Sequence, residues 1–126
     1  MTDSALKMIA DSMQEMNINY SFAEWKGKPI YPYFVGEYQE AESVNEDGME
    51  ETNFILTGFS RTTWADLEAV KKKIKQYFNP IAGKAVVEEL GNVIAVFYSD
   101  GFVVPNQDAE LKKIQINLTV KEWSVI

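Results

Sequence analysis

One acidic segment in the middle of the chain has the residue types of a calcium-binding loop. Asn45, Asp47 and Gly48 supply oxygen ligands and a turn glycine in the order that such loops use. When Gly48 is aligned with the loop glycine, Ser43 takes the first ligand position and Phe54 takes the position of the bidentate glutamate. A phenylalanine cannot bind calcium, so the sequence does not predict a calcium site.

Two further groups of residues could do chemistry. Glu88 and Glu89 offer paired carboxylates, but neighbouring residues of a strand point to opposite faces and cannot flank one substrate. The second group would line the small-molecule pocket of an enzyme or effector-binding domain. Aromatic stripes belong more often to a core, so this interpretation stays a minor alternative. Its members are Trp25, Tyr31, Tyr33, Glu37 and Tyr38.

Composition argues against catalysis. The 126 residues include no cysteine and no histidine, which removes the thiolate nucleophile, the zinc–thiolate site and the commonest general base. We therefore expect no enzyme activity, no cofactor and no metal.

Charge and hydropathy narrow the class of partner. The net charge of −7 argues against free binding to nucleic acid, which requires a basic surface. No apolar run approaches the roughly 20 residues that span a bilayer, and the N-terminus has no signal-peptide core. We expect a protein made in the cytoplasm, with residues 1–126 forming one domain and no membrane contact.

A predicted hairpin organises the elements. Its arms, residues 31–38 and 52–61, are rich in aromatic and β-branched side chains, and apolar residues on both faces of the second arm predict an interior strand covered on two sides. Gly58 within that arm predicts either a bulge or a close backbone approach. A short strand is predicted over residues 18–23.

Two amphipathic helices are predicted. In residues 2–17 a stripe recurs at helical spacing, for which we favour core packing over contact with a neighbouring subunit: Leu6, Ile9, Met13 and Met16. The second helix starts after Thr63, with Asp66 in the position of a capping box, and ends before Pro80. Its apolar face is predicted to contain Trp64, Leu67, Val70, Ile74, Tyr77 and Phe78. Its lysines form a solvated face or a contact with an acidic surface of another copy: Lys72, Lys73 and Lys75.

The last third of the chain reads as three strands. Gly91-Asn92 predicts a two-residue hairpin turn, and residues 99–101 predict a second turn. In residues 111–126 apolar and polar positions alternate, and Trp123 on the polar face marks a candidate subunit contact. The fold class is therefore α+β: a single mixed, mostly antiparallel sheet with two amphipathic helices packed on one face.

Three segments carry a resemblance to a known family: residues 31–38, residues 54–58 before Trp64, and residues 109–118. They are similar to small structural proteins of long-tailed bacteriophages and prophages of Gram-positive bacteria. Within these, the chain resembles the tail terminator group, also called tail completion or tail-to-head joining proteins. The resemblance covers nearly the whole chain but contains no catalytic motif.

The resemblance implies a structural virion protein at the head–tail junction, forming a homohexameric ring that caps the tail tube, ends tail polymerisation and offers a surface to the head connector. Genome DNA would pass through the ring without sequence-specific binding. Since an attractive lining would hold the DNA in place, we expect acidic residues to face the lumen or an adjoining ring, with these as candidates: Glu46, Asp47, Glu50 and Glu51.

The nearest alternatives are a virion protein at a different position in the particle, or a different class of protein. A head-closure or adaptor ring, or a minor tail component, would have the same size and acidity. An acidic inhibitor that mimics DNA is disfavoured by the lysine-rich segment 71–75.

Overall fold

The computed structural model of the protein describes residues 1–40 and 48–124. The elements follow the predicted order of one helix, three strands, one helix and three strands. They are α1 (Asp3–Glu15), β1 (Asn19–Phe22), β2 (Tyr33–Glu40), β3 (Met49–Ser60), α2 (Trp64–Tyr77), β4 (Lys84–Val87), β5 (Val93–Val103) and β6 (Lys112–Trp123).

All the described strands join one curled sheet in the order β1-β2-β3-β6-β5-β4. Only β1 and β2 run parallel, and every other neighbouring pair is antiparallel. The predicted central hairpin is confirmed, because β2 and β3 pair from Tyr33↔Phe59 to Glu40↔Thr52. The mixed, mostly antiparallel sheet of the predicted α+β fold is likewise confirmed.

Threonine hydroxyls start both helices. Thr2 Oγ1 accepts a hydrogen bond from the Ala5 backbone N–H, and Thr63 Oγ1 accepts one from the Asp66 N–H, as the sequence predicted for α2. The Asp66 carboxylate accepts its own hydrogen bond from the Thr62 hydroxyl. Helix α2 ends at Tyr77, three residues before Pro80.

Both helices pack on the same face of the sheet, which forms the core. Alternate residues of the central strands face the helices and are buried: Phe34, Phe54, Leu56, Ile114, Ile116, Leu118 and Val120. The helices contribute Ala5, Ile9, Met13, Met16, Leu67, Ile74 and Phe78. The methionine stripe of α1 is therefore core, as favoured from the sequence.

The other face of the sheet is not covered by helices, and we call it the open face. The prediction that β3 is covered on two sides is wrong, because Ile55, Thr57 and Phe59 are only half-buried there. Strand β3 is interior in the hydrogen-bonded sheet rather than between two layers. The prediction that Trp64 belongs to the apolar face of α2 is also wrong. Trp64 lies at the first position of the helix and is 41% exposed.

Two glycines of the central hairpin make room for aromatic rings. A Cβ atom on Gly58 would lie 2.4 Å from Phe34 Cε2, and one on Gly36 would lie 2.6 Å from Phe54 Cζ. Gly58 is paired regularly with Phe34 across β2 and β3, without a bulge. Of the two alternatives predicted at Gly58, a bulge or a close backbone approach, the structure therefore shows the close approach, in which the Phe34 ring lies against the Gly58 backbone.

Three boundaries in the last third differ from prediction. Residues 99–101 continue β5 through a bulge between Tyr98 and Asp100, because Asp100 accepts a hydrogen bond from Asn117 of β6 and keeps the strand paired. Five residues, 88–92, lie between β4 and β5 rather than the two of the predicted turn: Glu88 N–H donates to Asn92 O, and Gly91 has φ of +88°. Strand β6 ends at Trp123 rather than at residue 126.

Candidate assembly surfaces

The predicted acidic candidates do not lie on one surface. Glu46 and Asp47 fall outside the described residues. Glu50 pairs with Glu122 across β3 and β6, at a position that faces the helices. Glu51 is its neighbour on the strand, so it points to the open face, where it pairs with Lys121. At most one of Glu50 and Glu51 can line any surface built from a single face of the sheet.

Glu122 is a buried carboxylate that the sequence reasoning missed. It is 7% exposed, and its Oε1 atom accepts hydrogen bonds from the Thr2 backbone N–H (3.2 Å) and from Thr2 Oγ1 (2.6 Å). Its Oε2 atom is buried and has no hydrogen-bond partner among residues 1–40 and 48–124. The alternation of β6 did contain the signal, because position 122 continues the inward series that ends with Val120.

Trp123 lies half-buried on the open face, opposite Met49 of β3 and Val93 of β5. The predicted exposed tip is thus only partly exposed at Trp123. A cavity with a volume of about 190 Å³ lies at this end of the sheet, and its lining residues include Trp123, Glu50, Glu88 and Glu122.

The three candidate lysines of α2 have different surroundings. Lys73 donates a hydrogen bond to the carbonyl oxygen of Met16 at 2.6 Å and so ties α2 to the end of α1. The Lys75 ammonium lies 5.5 Å from the centre of the Tyr98 ring. Lys72 and Lys75 line a shallow depression together with Ala65, Ala69 and the ion-paired Glu68 and Lys71. The outward surface of α2 therefore combines two small side chains with a net positive charge.

An aromatic cluster occupies one end of the open face. The Tyr33 ring lies 4.9 Å from Trp25, 5.5 Å from Tyr31 and 5.0 Å from Phe59, measured between ring centres. Burial in this cluster raises the pKa of Tyr33. Of the residues predicted to line a pocket, the structure brings Trp25, Tyr31 and Tyr33 together. Glu37 lines one depression with Trp25 and Tyr33.

Tyr38 does not join this cluster. Its ring stacks on Phe22 with 6.1 Å between ring centres. Tyr38 and Tyr33 are separated by an odd number of positions along β2, so their side chains lie on opposite faces of the sheet. The cluster is a shallow, open depression rather than an enclosed pocket with convergent polar groups, which makes it a poor site for a small substrate.

Arg61 fixes the rim of the aromatic cluster. Its Nε donates to Tyr31 Oη at 3.3 Å, and its Nη2 lies 3.1 Å from Asp108 Oδ2. The backbone N–H of Glu110 and the guanidinium both hold the pKa of Asp108 below its ordinary value. This contact joins the end of β3 to the segment that precedes β6.

Large apolar side chains are exposed near both edges of the sheet. Around β4, Ile81 is 90% exposed and Leu90 is 84% exposed, with Val87 between them in sequence. Near β1, the exposed residues are Ile30 and Phe22. Exposed apolar clusters of this kind mark protein–protein contacts, and unpaired strand edges add backbone groups that can pair with another chain.

The described residues include no group of three or more His, Cys, Asp or Glu side chains placed to hold a metal ion. Among the helices of residues 1–40 and 48–124, none is long and apolar enough to cross a membrane.

Comparison with known proteins identifies a shared fold. No family model matches the sequence, and no curated protein matches it either. A solved structure described as "Virion of native gene transfer agent (GTA) particle" contains a chain that is similar over 96% of this chain and 90% of its own length. The TM-score is 0.63 and the sequence identity is 10%. The two chains thus share an α+β fold along almost their whole lengths.

Proposed function

We propose that this protein is a structural component of a phage-like virion, and that it acts as a tail terminator. The observation that carries the proposal is the fold shared, over 96% of the chain, with a protein of a gene transfer agent virion. The resemblance of residues 31–38, 54–58 and 109–118 to tail terminators supports the finer assignment. In this role residues 1–126 act as one unit, perform no catalysis and need no cofactor.

Ring formation is supported by the distribution of the exposed apolar residues. The β1 and β4 edges lie at opposite ends of the sheet and differ in sequence. A contact between two different surfaces of identical subunits is head-to-tail, and such contacts close into rings when the rotation between subunits allows it. We propose a ring of six copies, as the tail terminator resemblance implies.

The proposed mechanism is assembly at the head–tail junction. The ring binds the last layer of the tail tube protein, stops further addition, and presents its other side to the head connector or head-closure protein. DNA passes through the centre without sequence-specific contact, because the net charge of −7 disfavours adhesion to phosphate. We propose that some of Glu46, Asp47, Glu50 and Glu51 face the lumen or an adjoining ring. Glu51 is the candidate tested below, because it points to the open face of the sheet.

Deletion of the reading frame tests the proposal. Negative-stain electron microscopy of the resulting particles should show filled heads beside separate tails of irregular, excessive length. Leaking heads beside tails of normal length would instead indicate that the protein is a head-closure or adaptor protein. Normal particles would refute a virion role and favour an inhibitor.

A charge reversal tests the lumen. Glu51→Lys should slow DNA delivery while particle yield stays near wild type, since the substitution adds attraction for phosphate. Glu110→Lys is the matched control, because Glu110 is exposed in the segment before β6. Equal delivery by both variants would remove Glu51 from the lumen.

A further inference from the structure

Glu122 Oε2 is the starting point, because it is a buried carboxylate oxygen without a hydrogen-bond partner. Thr2 satisfies only the other oxygen of this side chain. Buried polar atoms in native proteins are nearly always paired, and an unpaired buried charge is costly, so an orphaned atom indicates a group that completes the site.

The surroundings of Glu122 indicate the sign of that group. Glu50 lies directly opposite Glu122 across β3 and β6, and like charges in that position repel each other. Glu88, next to the end of β4, lines the same cavity of about 190 Å³. The described residues that line it include no lysine or arginine. The cavity therefore concentrates negative charge around a buried, half-satisfied carboxylate, and it suits a cation.

The class of cation follows from the spacing of the carboxylates. Within residues 1–40 and 48–124, no three acidic side chains are close enough to coordinate a metal ion. A flexible side chain that ends in an ammonium group can instead approach Glu122 past Glu50 and Glu88, which line the same cavity, and it needs no fixed coordination geometry. The expected ligand is a lysine side chain.

We propose that this cavity receives Lys72 of a second copy of the chain. The contact would form part of the interface between neighbouring subunits of the proposed ring, and it rests on that proposed function. Lys72 is exposed, and no ion pair involves it in the part of the chain that the structure describes. It borders the depression of α2 in which Glu68 is already paired with Lys71, and the small side chains of Ala65 and Ala69 there let another subunit approach closely. The cavity and α2 are different surfaces, so the contact is head-to-tail and can propagate around a ring.

Because the protein contains no cysteine, site-directed cross-linking gives a direct test. The variant Lys72→Cys/Glu88→Cys is treated at high protein concentration with a short bismaleimide, since a lysine–glutamate contact holds the Cα atoms further apart than the roughly 7 Å that a disulfide tolerates. We expect a ladder of covalent oligomers on a denaturing gel. Each single-cysteine variant can give dimers at most.

The matched control is Lys28→Cys/Glu88→Cys, since Lys28 is exposed and distant in sequence from α2. No ladder from the Lys72 pair, or an equal ladder from the Lys28 pair, would overturn the inference. A reciprocal exchange adds a second measurement: Lys72→Glu and Glu88→Lys should each reduce self-association at least several-fold, and their combination in one chain should restore it. Failure of restoration would also overturn the contact.

These outcomes are separate from those of the gene deletion. Overlong tails after deletion, together with a failed cross-link, would remove this interface and leave the proposed function standing. Normal particles after deletion, together with a Lys72–Glu88 ladder, would refute the virion role while keeping the contact between copies.

Discussion

The packing of Phe34 over Gly58 gives a sharp test of the central hairpin. Substitution of Gly58 by alanine adds one methyl group that would lie 2.4 Å from Phe34 Cε2 and 2.6 Å from Phe34 Cζ. Phe34 is fully buried in the core and cannot turn away into solvent. The φ of Gly58 is not positive, so the backbone itself accepts alanine and the whole effect comes from this one contact.

The expected cost is the difference of two terms. Overpacking a rigid core costs about 1–3 kcal/mol. Alanine in place of glycine restricts the unfolded chain, which returns about 0.4–1 kcal/mol. Because the added methyl group would lie only 2.4 Å from a buried ring, the upper half of the overpacking range applies. The net loss in the free energy of unfolding should then be about 1–2.5 kcal/mol, which corresponds to a fall in Tm of roughly 4–10 °C for a domain of this size.

Urea denaturation of four proteins measures this loss and its origin: wild type, Gly58→Ala, Phe34→Leu and the double variant. Leucine removes the ring atoms that the new methyl group would meet, so Gly58→Ala should cost at least 1 kcal/mol less in the Phe34→Leu background, within the range of couplings between contacting residues. Additive losses, or a Gly58→Ala protein as stable as wild type, would refute the packing explanation.

Three further predictions concern single side chains. Burial raises the pKa of Tyr20 to about 12 from its ordinary 10.0, so wild type should lose up to about 2 kcal/mol of stability as the pH rises from 10 to 12. In urea titrations Tyr20→Phe should lose less stability over this range, and an equal loss in both proteins would contradict the prediction. Removing the cap of α2 by Thr63→Ala leaves the Asp66 N–H without its partner and should cost about 1 kcal/mol by thermal unfolding, whereas Thr63→Ser should be near wild type; equal losses would exclude capping. Because the pKa of Asp108 is lowered in the folded state, its contribution to stability is present above the ordinary carboxyl pKa and is lost as the pH falls through the lowered pKa. The urea midpoint of Asp108→Asn should therefore change less between pH 6 and pH 3 than that of wild type, and an identical change would rule out the Arg61–Asp108 contact as a source of stability.

The regular elements were largely predictable because their signals are local. Thr63 and Pro80 mark the two ends of α2 through hydrogen bonding and φ restriction, which act within a few residues. The alternation in β6 assigned its buried face correctly as far as Val120. The element order and the antiparallel central hairpin followed from such patterns.

The errors share a different physical origin. Whether a strand is covered on one face or two depends on where distant helices dock, so Ile55 and Phe59 looked like core residues although only the other face is covered. Residues 99–101 have the composition of a turn, and pairing with Asn117 overrode it. Glu122 was missed because its burial depends on Thr2, which is distant in sequence.

The candidate surfaces were less predictable than the fold. A run of charged residues in the sequence does not show on which face each side chain lies. The structure puts Glu50 and Glu51 on opposite faces of the sheet, and Lys73 donates a hydrogen bond to the end of α1. The exposure of Leu90 could not be deduced from the sequence, because apolar residues in a predicted hairpin are equally consistent with burial.

The central position of β6 has a consequence for synthesis on the ribosome. This strand lies between β3 and β5, and it joins the first three strands of the chain to the other two in the sheet. Until residues 112–123 leave the exit tunnel, β3 and β5 each present an unpaired edge, and the nascent chain cannot complete its core. Folding of the whole sheet is therefore expected after translation of β6, so incomplete chains lack the finished surfaces that a neighbouring copy would recognise.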